Sequence, residues 1–262
     1  MGLVQGLLRK DSNRNSNIPK TPAGSKQEQV MSISKEFDPG LSHHFYFIRK
    51  GLLAAMRKHA PVLNGNLLDF GCGSKPYSSL IHVEKYIGLD FDNPGHDHSN
   101  ENIDVYYDGK EIPFGEDHFD SILCTEVVEH LFDFNYTLGE MHRVLKKGGK
   151  MLITCPFVWP EHEVPYDYAR YTRFALEELF TKKGFKILQF DKQGNFIETV
   201  TQMRALYFFG TYGPFFSRLS FAGKFISKAY IALINGWGML KSKLFASRYD
   251  LYLSNVLVVE KI

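Results

Sequence analysis

The sequence predicts a doubly wound α/β sheet, and three observations carry that expectation. A Gly-x-Gly turn closes the apolar run 67–70. An acidic residue, Asp90, ends the next apolar run about 20 positions later, the spacing of a nucleotide-binding βαβ unit. Apolar strand-like runs then alternate with segments of helical period up to residue 190. At 262 residues, 44% hydrophobic and 15% aromatic, the chain has enough apolar material for one principal domain with insertions. Its three cysteines, Cys72, Cys124 and Cys155, are widely spaced in apolar runs and read as buried thiols in a reducing compartment.

Residues 1–35 are the expected leader. The opening MGLVQGLLRK is too short for a signal peptide's apolar core, and residues 11–29 are rich in Asn, Ser, Pro and Lys. Residues 36–262 are the expected domain. A helix is predicted over 41–59, where Phe45, Ile48, Leu52, Ala55 and Met56 share a face before Pro61. Its His43-His44-Phe45-Tyr46 start is a candidate roof over a ligand, with Tyr46 as a substrate contact; helix packing is the plainer role. Strands are expected at 66–70, 85–89, 103–107, 119–124 and 151–154, with a short helix near 77–82. A second helix at 135–145 is expected to stop at Lys146-Lys147-Gly148-Gly149.

In an open parallel sheet, the loops after the strands carry the ligand. Gly71-Cys72-Gly73 lets backbone approach a ligand that any Cβ would repel. Asp69, just ahead of it, suits a cationic cofactor better than a pyrophosphate. Asp90, followed by Phe91, is placed to accept hydrogen bonds from both ribose hydroxyls. Asp108 offers a carboxylate to an exocyclic adenine amine, while Gly109 permits a close ring. The run Thr125 to His130 arrives at the same edge. His96, Asp97 and His98 lie in a segment rich in Asn, Gly and Ser without a second ligand cluster at fixed spacing, so no metal is expected.

The formal net charge of +2 is uneven. Counting Lys and Arg against Asp and Glu gives +4 for residues 1–35, −8 for 36–198 and +6 for 199–262, and no acid stands between Glu198 and Asp250. The inserted stretch 199–249 combines that basic charge with many aromatic residues. Arg218, Lys224 and Lys228 interrupt it before it reaches a transmembrane length, so the expected partner is a membrane surface or an amphiphilic substrate. A helical lid or dimer surface is the plain alternative.

Taken in order, LLDFGCG, YIGLD, YYDG, FDSILCTEVVEHL, LKKGGKMLI and ELFTKKGFKIL resemble a class I S-adenosylmethionine-dependent methyltransferase, close to the group typified by ubiquinone-biosynthesis C-methyltransferases. The resemblance implies a seven-stranded Rossmann-like sheet whose last strand, 251–260, runs antiparallel, with the helical insertion before it. It implies S-adenosyl-L-methionine over Gly71 and Gly73, Asp69 near the methionyl part, Asp90 on the ribose, Asp108 by the adenine and Thr125 at the methionine end, with S-adenosyl-L-homocysteine as product. One departure stands out. Ser74-Lys75-Pro76 replace the third glycine of the usual loop.

Residues 162–172 resemble the substrate-side segment H-x-x-P-x-D-x-x-R-[YF]-T of many bacterial methyltransferases. His162 of this segment and His130 of the Glu-His turn after the fourth strand are the candidate bases; Asp167 is placed to orient His162 or to bind a substrate hydroxyl, Arg170 to bind a carboxylate or phosphate, and Trp159 and Tyr171 are further candidate substrate contacts. The alternative is structural, with Asp167 and Arg170 paired and Thr172 capping the next helix. The expected activity is O-methylation of a sugar or a lipid-linked glycan, in the cytoplasm or at the inner face of the cell membrane. Quinone-like C- or O-methylation and a non-catalytic S-adenosylmethionine-binding subunit are the competing readings. Nucleic acid is disfavoured, because no N/D-P-P-Y loop follows the fourth strand.

Overall fold

The computed structural model describes residues 33–91 and 102–262. Most of the leader and the His96-Asp97-His98 segment lie outside the described residues. Among those described, seven strands form one sheet in the order β3-β2-β1-β4-β5-β7-β6. They are β1 (Asn66–Phe70), β2 (Lys85–Phe91), β3 (Val105–Tyr107), β4 (Phe119–Thr125), β5 (Leu145–Pro156), β6 (Phe185–Gln193) and β7 (Ser254–Lys261). The first five are mutually parallel, and β7 runs antiparallel between β5 and β6, as the resemblance implied. Strand order reverses between β1 and β4, so the loops leaving these two strands part and open a crevice at their carboxyl ends.

Side chains alternate across each strand, and the sheet therefore has two apolar faces. Leu68, Ile122, Ile153 and Leu257 point to one face, where they meet α2 (Phe134–Val144) and α3 (Arg173–Lys182) through Leu138, Met141 and Phe180. Leu67, Leu123, Leu152 and Val256 point to the other, against Ile48, Leu53 and Met56 of α1 (Tyr46–His59). Met56 is fully buried there. Met56→Ala is expected to cost about 2–5 kcal/mol in urea unfolding, because its cavity cannot collapse between a helix and a sheet.

Several boundaries differ from expectation. Helix α1 begins at Tyr46, not near residue 41, and His43 to Phe45 form the turn before it. The predicted helix at 77–82 is a single 3₁₀ turn, Ser78–Leu80. The Lys146 to Gly149 stretch does not stop a helix; it opens β5. Phe119 pairs with Leu145 while Ser121 pairs with Lys150, so the surplus residues bulge around Gly148, whose φ of +76° glycine tolerates. Cys72, Cys124 and Cys155 are free and buried, as expected.

The insertion is a helical hairpin of α4 (Phe196–Arg218) and α5 (Ser220–Leu244). Asn195 and Glu198 form a capping box that starts α4. The hairpin is clasped to the first turn of α1, whose own N-cap residue, Phe45, supplies no side-chain cap. The fully buried Gln202 of α4 accepts hydrogen bonds from Phe47 N–H at 3.0 Å and Ile48 N–H at 3.2 Å, and donates to the His44 carbonyl. Asn235 of α5 donates to the Leu41 and His43 carbonyls at 2.7 and 3.0 Å. A distant amide thereby satisfies amide groups that a helix start leaves unpaired. Beyond this root the hairpin exposes apolar side chains, with Phe221 85% exposed. Among the described residues, no helix is long and apolar enough to cross a membrane.

Candidate active site

The crevice at the strand-order reversal holds a cavity of about 810 Å³, a size that suits a cofactor together with an acceptor. One wall is the loop after β1. Gly71 and Gly73 lie in the left-handed region, with φ of +72° and +45°. A Cβ on Gly71 would come within 2.3 Å of Val127 Cγ2, so the turn admits only glycine. The Gly71 and Cys72 N–H groups donate to the Leu89 carbonyl at 2.8 and 3.2 Å, which ties the loop to the end of β2.

The departure from the usual third glycine is resolved in the backbone. Lys75 occupies that position and adopts φ of +52°, a conformation that costs a residue with a Cβ about 1–2 kcal/mol. Its buried ammonium group pairs with Asp104 Oδ2 at 2.5 Å, and the same oxygen accepts the Gly88 N–H at 2.7 Å. The ion pair offsets the strain.

Asp90 ends β2 at the cavity wall. Its Oδ2 accepts from Gly73 N–H and its Oδ1 from Phe91 N–H, each at 2.8 Å. The carboxylate is thus aimed by backbone at the cavity wall. Cys72, Phe91, Gly109 and Thr125 line the same cavity.

Two expected cofactor residues are placed elsewhere. Asp69 does not line the cavity; it is buried behind the loop, where Tyr86 Oη–H donates to its Oδ2 and burial pushes its carboxyl up to about 7. Asp108 stands outside the main cavity on a small surface depression, accepts the Lys110 N–H and faces the Lys110 ammonium at 3.7 Å. For Asp69 the reason is strand alternation, since Phe70, the next residue of β1, lines the cavity. Side chains one position apart at a strand end leave on opposite sides.

The opposite wall comes from β4 and the β5–α3 loop. Glu126, which sequence reasoning named only in passing, adopts φ of +53° and lines the cavity. Its Oε2 accepts from Ser254 Oγ–H at 3.3 Å, its Oε1 has no protein partner, and burial raises its carboxyl to about 7. His130 lines the cavity beside Glu163, Tyr166 and Tyr168. Arg49 of α1 also borders it, with its guanidinium 4.1 Å from the Phe37 ring centre. The sequence signal for Arg49 was weak, one of four Lys and Arg residues on a helix read only for its apolar face.

His162, Asp167 and Arg170 stand behind the cavity-lining residues, not on the surface of the cavity. The Tyr168 and Ala169 N–H groups donate to the Glu129 carbonyl and moor the loop. Arg170 donates from Nη1 to Asp167 Oδ1 at 2.5 Å and from Nη2 to Oδ2 at 2.7 Å, and its other contacts are the Ala169, Pro160 and Trp159 carbonyls and, at 3.5 Å, His162 Nδ1. That bidentate bond holds the Asp167 carboxyl below its ordinary range. The guanidinium is spent on its own loop, so the structural alternative describes it.

Three further expected substrate contacts are also structural. Tyr171 packs on Phe134, with ring centres 5.5 Å apart, and its carbonyl accepts from Asn255. Tyr46 Oη lies 3.8 Å from Met239 Sδ. Trp159 packs beside Phe45 at 5.8 Å. None of the three lines the cavity. Thr172 caps α3 by accepting the Ala175 N–H.

Residues 41–190 match the profile of a family described as a methyltransferase domain. Among curated proteins, one from Mycolicibacterium smegmatis, named a probable S-adenosylmethionine-dependent methyltransferase, is 28% identical over 161 residues, covering 57% of this chain and 63% of that protein. The ubiquinone/menaquinone biosynthesis C-methyltransferase of Shewanella oneidensis is 38% identical over 60 residues, 23% of this chain and 24% of that protein. The chain thus spans less than two thirds of either relative. A solved S-adenosylmethionine-dependent methyltransferase from Archaeoglobus fulgidus superposes with a TM-score of 0.50 at 14% identity, covering 87% of this chain and 97% of that one, a likeness of fold.

Proposed function

The chain belongs to the methyltransferase domain family, with the class I fold, and from that premise we propose that it transfers the methyl group of S-adenosylmethionine to a hydroxyl of a lipid-linked glycan at a membrane surface. The observation that carries the methyl-transfer reading is the convergence of Gly71, Gly73 and Asp90 with His130 on one cavity. The residues present fit the cofactor. Gly71 and Gly73 bring bare backbone to the cavity wall, Asp90 is an oriented carboxylate for a diol, and Glu126 Oε1 is a buried acceptor without a partner, suited to a cationic group. When bound, the cofactor supplies an electrophilic methyl on a sulfonium.

The chain's part is to hold the acceptor and take its proton. His130 Nδ1 lies 2.8 Å from the Tyr166 carbonyl, which can only accept, so Nδ1 carries the hydrogen and Nε2 keeps its lone pair. An imidazole in that tautomer is a general base for a hydroxyl.

The acceptor class rests on the insertion. The α4–α5 hairpin presents exposed Phe221, Phe225 and Leu233 together with Lys224 and Lys228 and carries no acid after Glu198. Aromatic and basic side chains of this kind suit the headgroup region of an anionic bilayer. Its root holds the first turn of α1, whose Arg49 borders the cavity, so an acceptor anchored in lipid would reach the site from the hairpin's side.

The test is methyl transfer from labelled cofactor into membrane lipid extracts, with flotation on vesicles containing phosphatidylglycerol. Label in the glycan headgroup of a lipid-linked saccharide, and flotation lost when Lys224 and Lys228 are changed to Glu, are the expected results. Label in a quinone instead, the acceptor in the Shewanella relative's name, would replace the glycan assignment.

A further inference from the structure

Glu129, His130 and His162 form a second constellation beside the cofactor cleft. Among the described residues they are the one group of three or more His, Cys, Asp or Glu side chains whose ligand atoms gather, all within 4.8 Å of one another. From their geometry we propose that this cluster binds a divalent transition-metal ion of the zinc class. The inference goes beyond the expectation of a metal-free site and rests on the methyl-transfer reading; with an ion bound, the His130 Nε2 lone pair would hold the metal in place of serving as the base, and the ion would instead ease loss of the acceptor hydroxyl's proton.

Glu129 makes the first point. Its side chain is 1% exposed, and neither carboxylate oxygen has a hydrogen-bond partner. A buried carboxylate with nothing to accept from is costly. A cation placed against it removes that cost.

The imidazoles make the second, independent point. His130 donates from Nδ1 to the Tyr166 carbonyl at 2.8 Å. His162 Nδ1 lies 3.2 Å from Asp167 Oδ2, which can only accept, and 3.5 Å from Arg170 Nη2, which can only donate; the shorter contact, to the carboxylate, places the hydrogen on Nδ1. Both rings therefore carry their hydrogen on Nδ1 and turn a bare Nε2 towards Glu129 Oε1, at 3.7 and 3.9 Å. Three electron-pair donors thus face one another. Those distances are too long for N–H···O hydrogen bonds. Metal bonds of roughly 2.0–2.2 Å place neighbouring ligand atoms about 3–3.6 Å apart, so these atoms, 3.7 and 3.9 Å from Glu129 Oε1 and within 4.8 Å of one another, would draw together when an ion binds.

The surroundings match a built site. Metal-bound imidazoles characteristically give their other N–H to a carbonyl or carboxylate, which fixes the tautomer, and both rings do so here. Two imidazoles and one carboxylate are a borderline donor set suited to zinc, iron(II) or cobalt(II) more than to magnesium or calcium. Glu163 Oε2, 3.7 Å from His130 Nε2, stands at the open side and also lines the cavity. A position is left towards the cleft for water or an acceptor hydroxyl.

Calorimetric titration of the chelator-stripped full chain with zinc chloride tests the inference, with cobalt(II) titration read by its visible ligand-field bands. One tight equivalent is expected, weakened at least about 100-fold by His162→Ala and by the isosteric Glu129→Gln. Circular dichroism establishes that each variant is folded, and the His162 variant keeps the test decisive if the Glu129 variant is not. Absence of tight binding in the parent, or equal binding in folded variants, overturns the inference. Cofactor binding measured on the same stripped protein separates the two readings. Cofactor bound without zinc leaves methyl transfer standing and removes the metal, and zinc bound without cofactor does the reverse.

Discussion

Asp90→Ala is expected to weaken S-adenosylmethionine binding by about 10²–10⁴-fold in calorimetry, the loss of two hydrogen bonds to a charged carboxylate at roughly 1.5–3 kcal/mol each. The same substitution removes the acceptor of the Gly73 N–H, so the glycine loop loses one of its ties to β2 as well. Asp108→Ala, which touches Lys110 on the surface, should change affinity only a few-fold if at all. Unchanged affinity in Asp90→Ala would remove the carboxylate from the cofactor site.

Arg170→Met is expected to destabilise the fold by about 3–5 kcal/mol, read from urea unfolding, because it leaves the Asp167 carboxylate, 4% exposed, without its bidentate partner. The hydrogen bond from Arg170 lowers the Asp167 pKa below its ordinary value of 3.8. The pair's contribution is therefore complete at neutral pH and fades as the pH falls below about 4. In Arg170→Met that part of the acid dependence should disappear, and adding Asp167→Asn should recover much of the lost stability. A substrate-binding arginine would give the opposite pattern, a raised KM with stability unchanged.

The parts of this site that could be read from the sequence are those fixed by the backbone. A Gly-x-Gly turn and an acid ending the next strand occur at set spacings because a tight loop over an open sheet allows few others, and Gly71, Gly73 and Asp90 stand where that reasoning puts them. Side-chain direction is another matter. Asp69 and Asp108 were assigned by adjacency to the loops, yet a shift of one residue along a strand turns a side chain to the other face. Arg170 was ambiguous because Asp167, three positions away, was equally available as a partner. The meeting of Glu129 with His162 joins two loops 33 residues apart in sequence, and the clasp of Gln202 on Phe47 spans 155 residues. No local pattern encodes either of them.

Lys75 carries a consequence for how this loop can change. Restoring glycine there would relieve the backbone but orphan Asp104, which also holds Gly88 N–H. The lysine stem passes over Gly88 so closely that a Cβ added there would lie 2.3 Å from Lys75 Cε. The three positions are therefore epistatic. Any route from this loop to the three-glycine form must alter Asp104 first or together with Lys75, and residue 88 stays closed to a side chain even then, because an added Cβ would lie 2.7 Å from Cys72 Sγ.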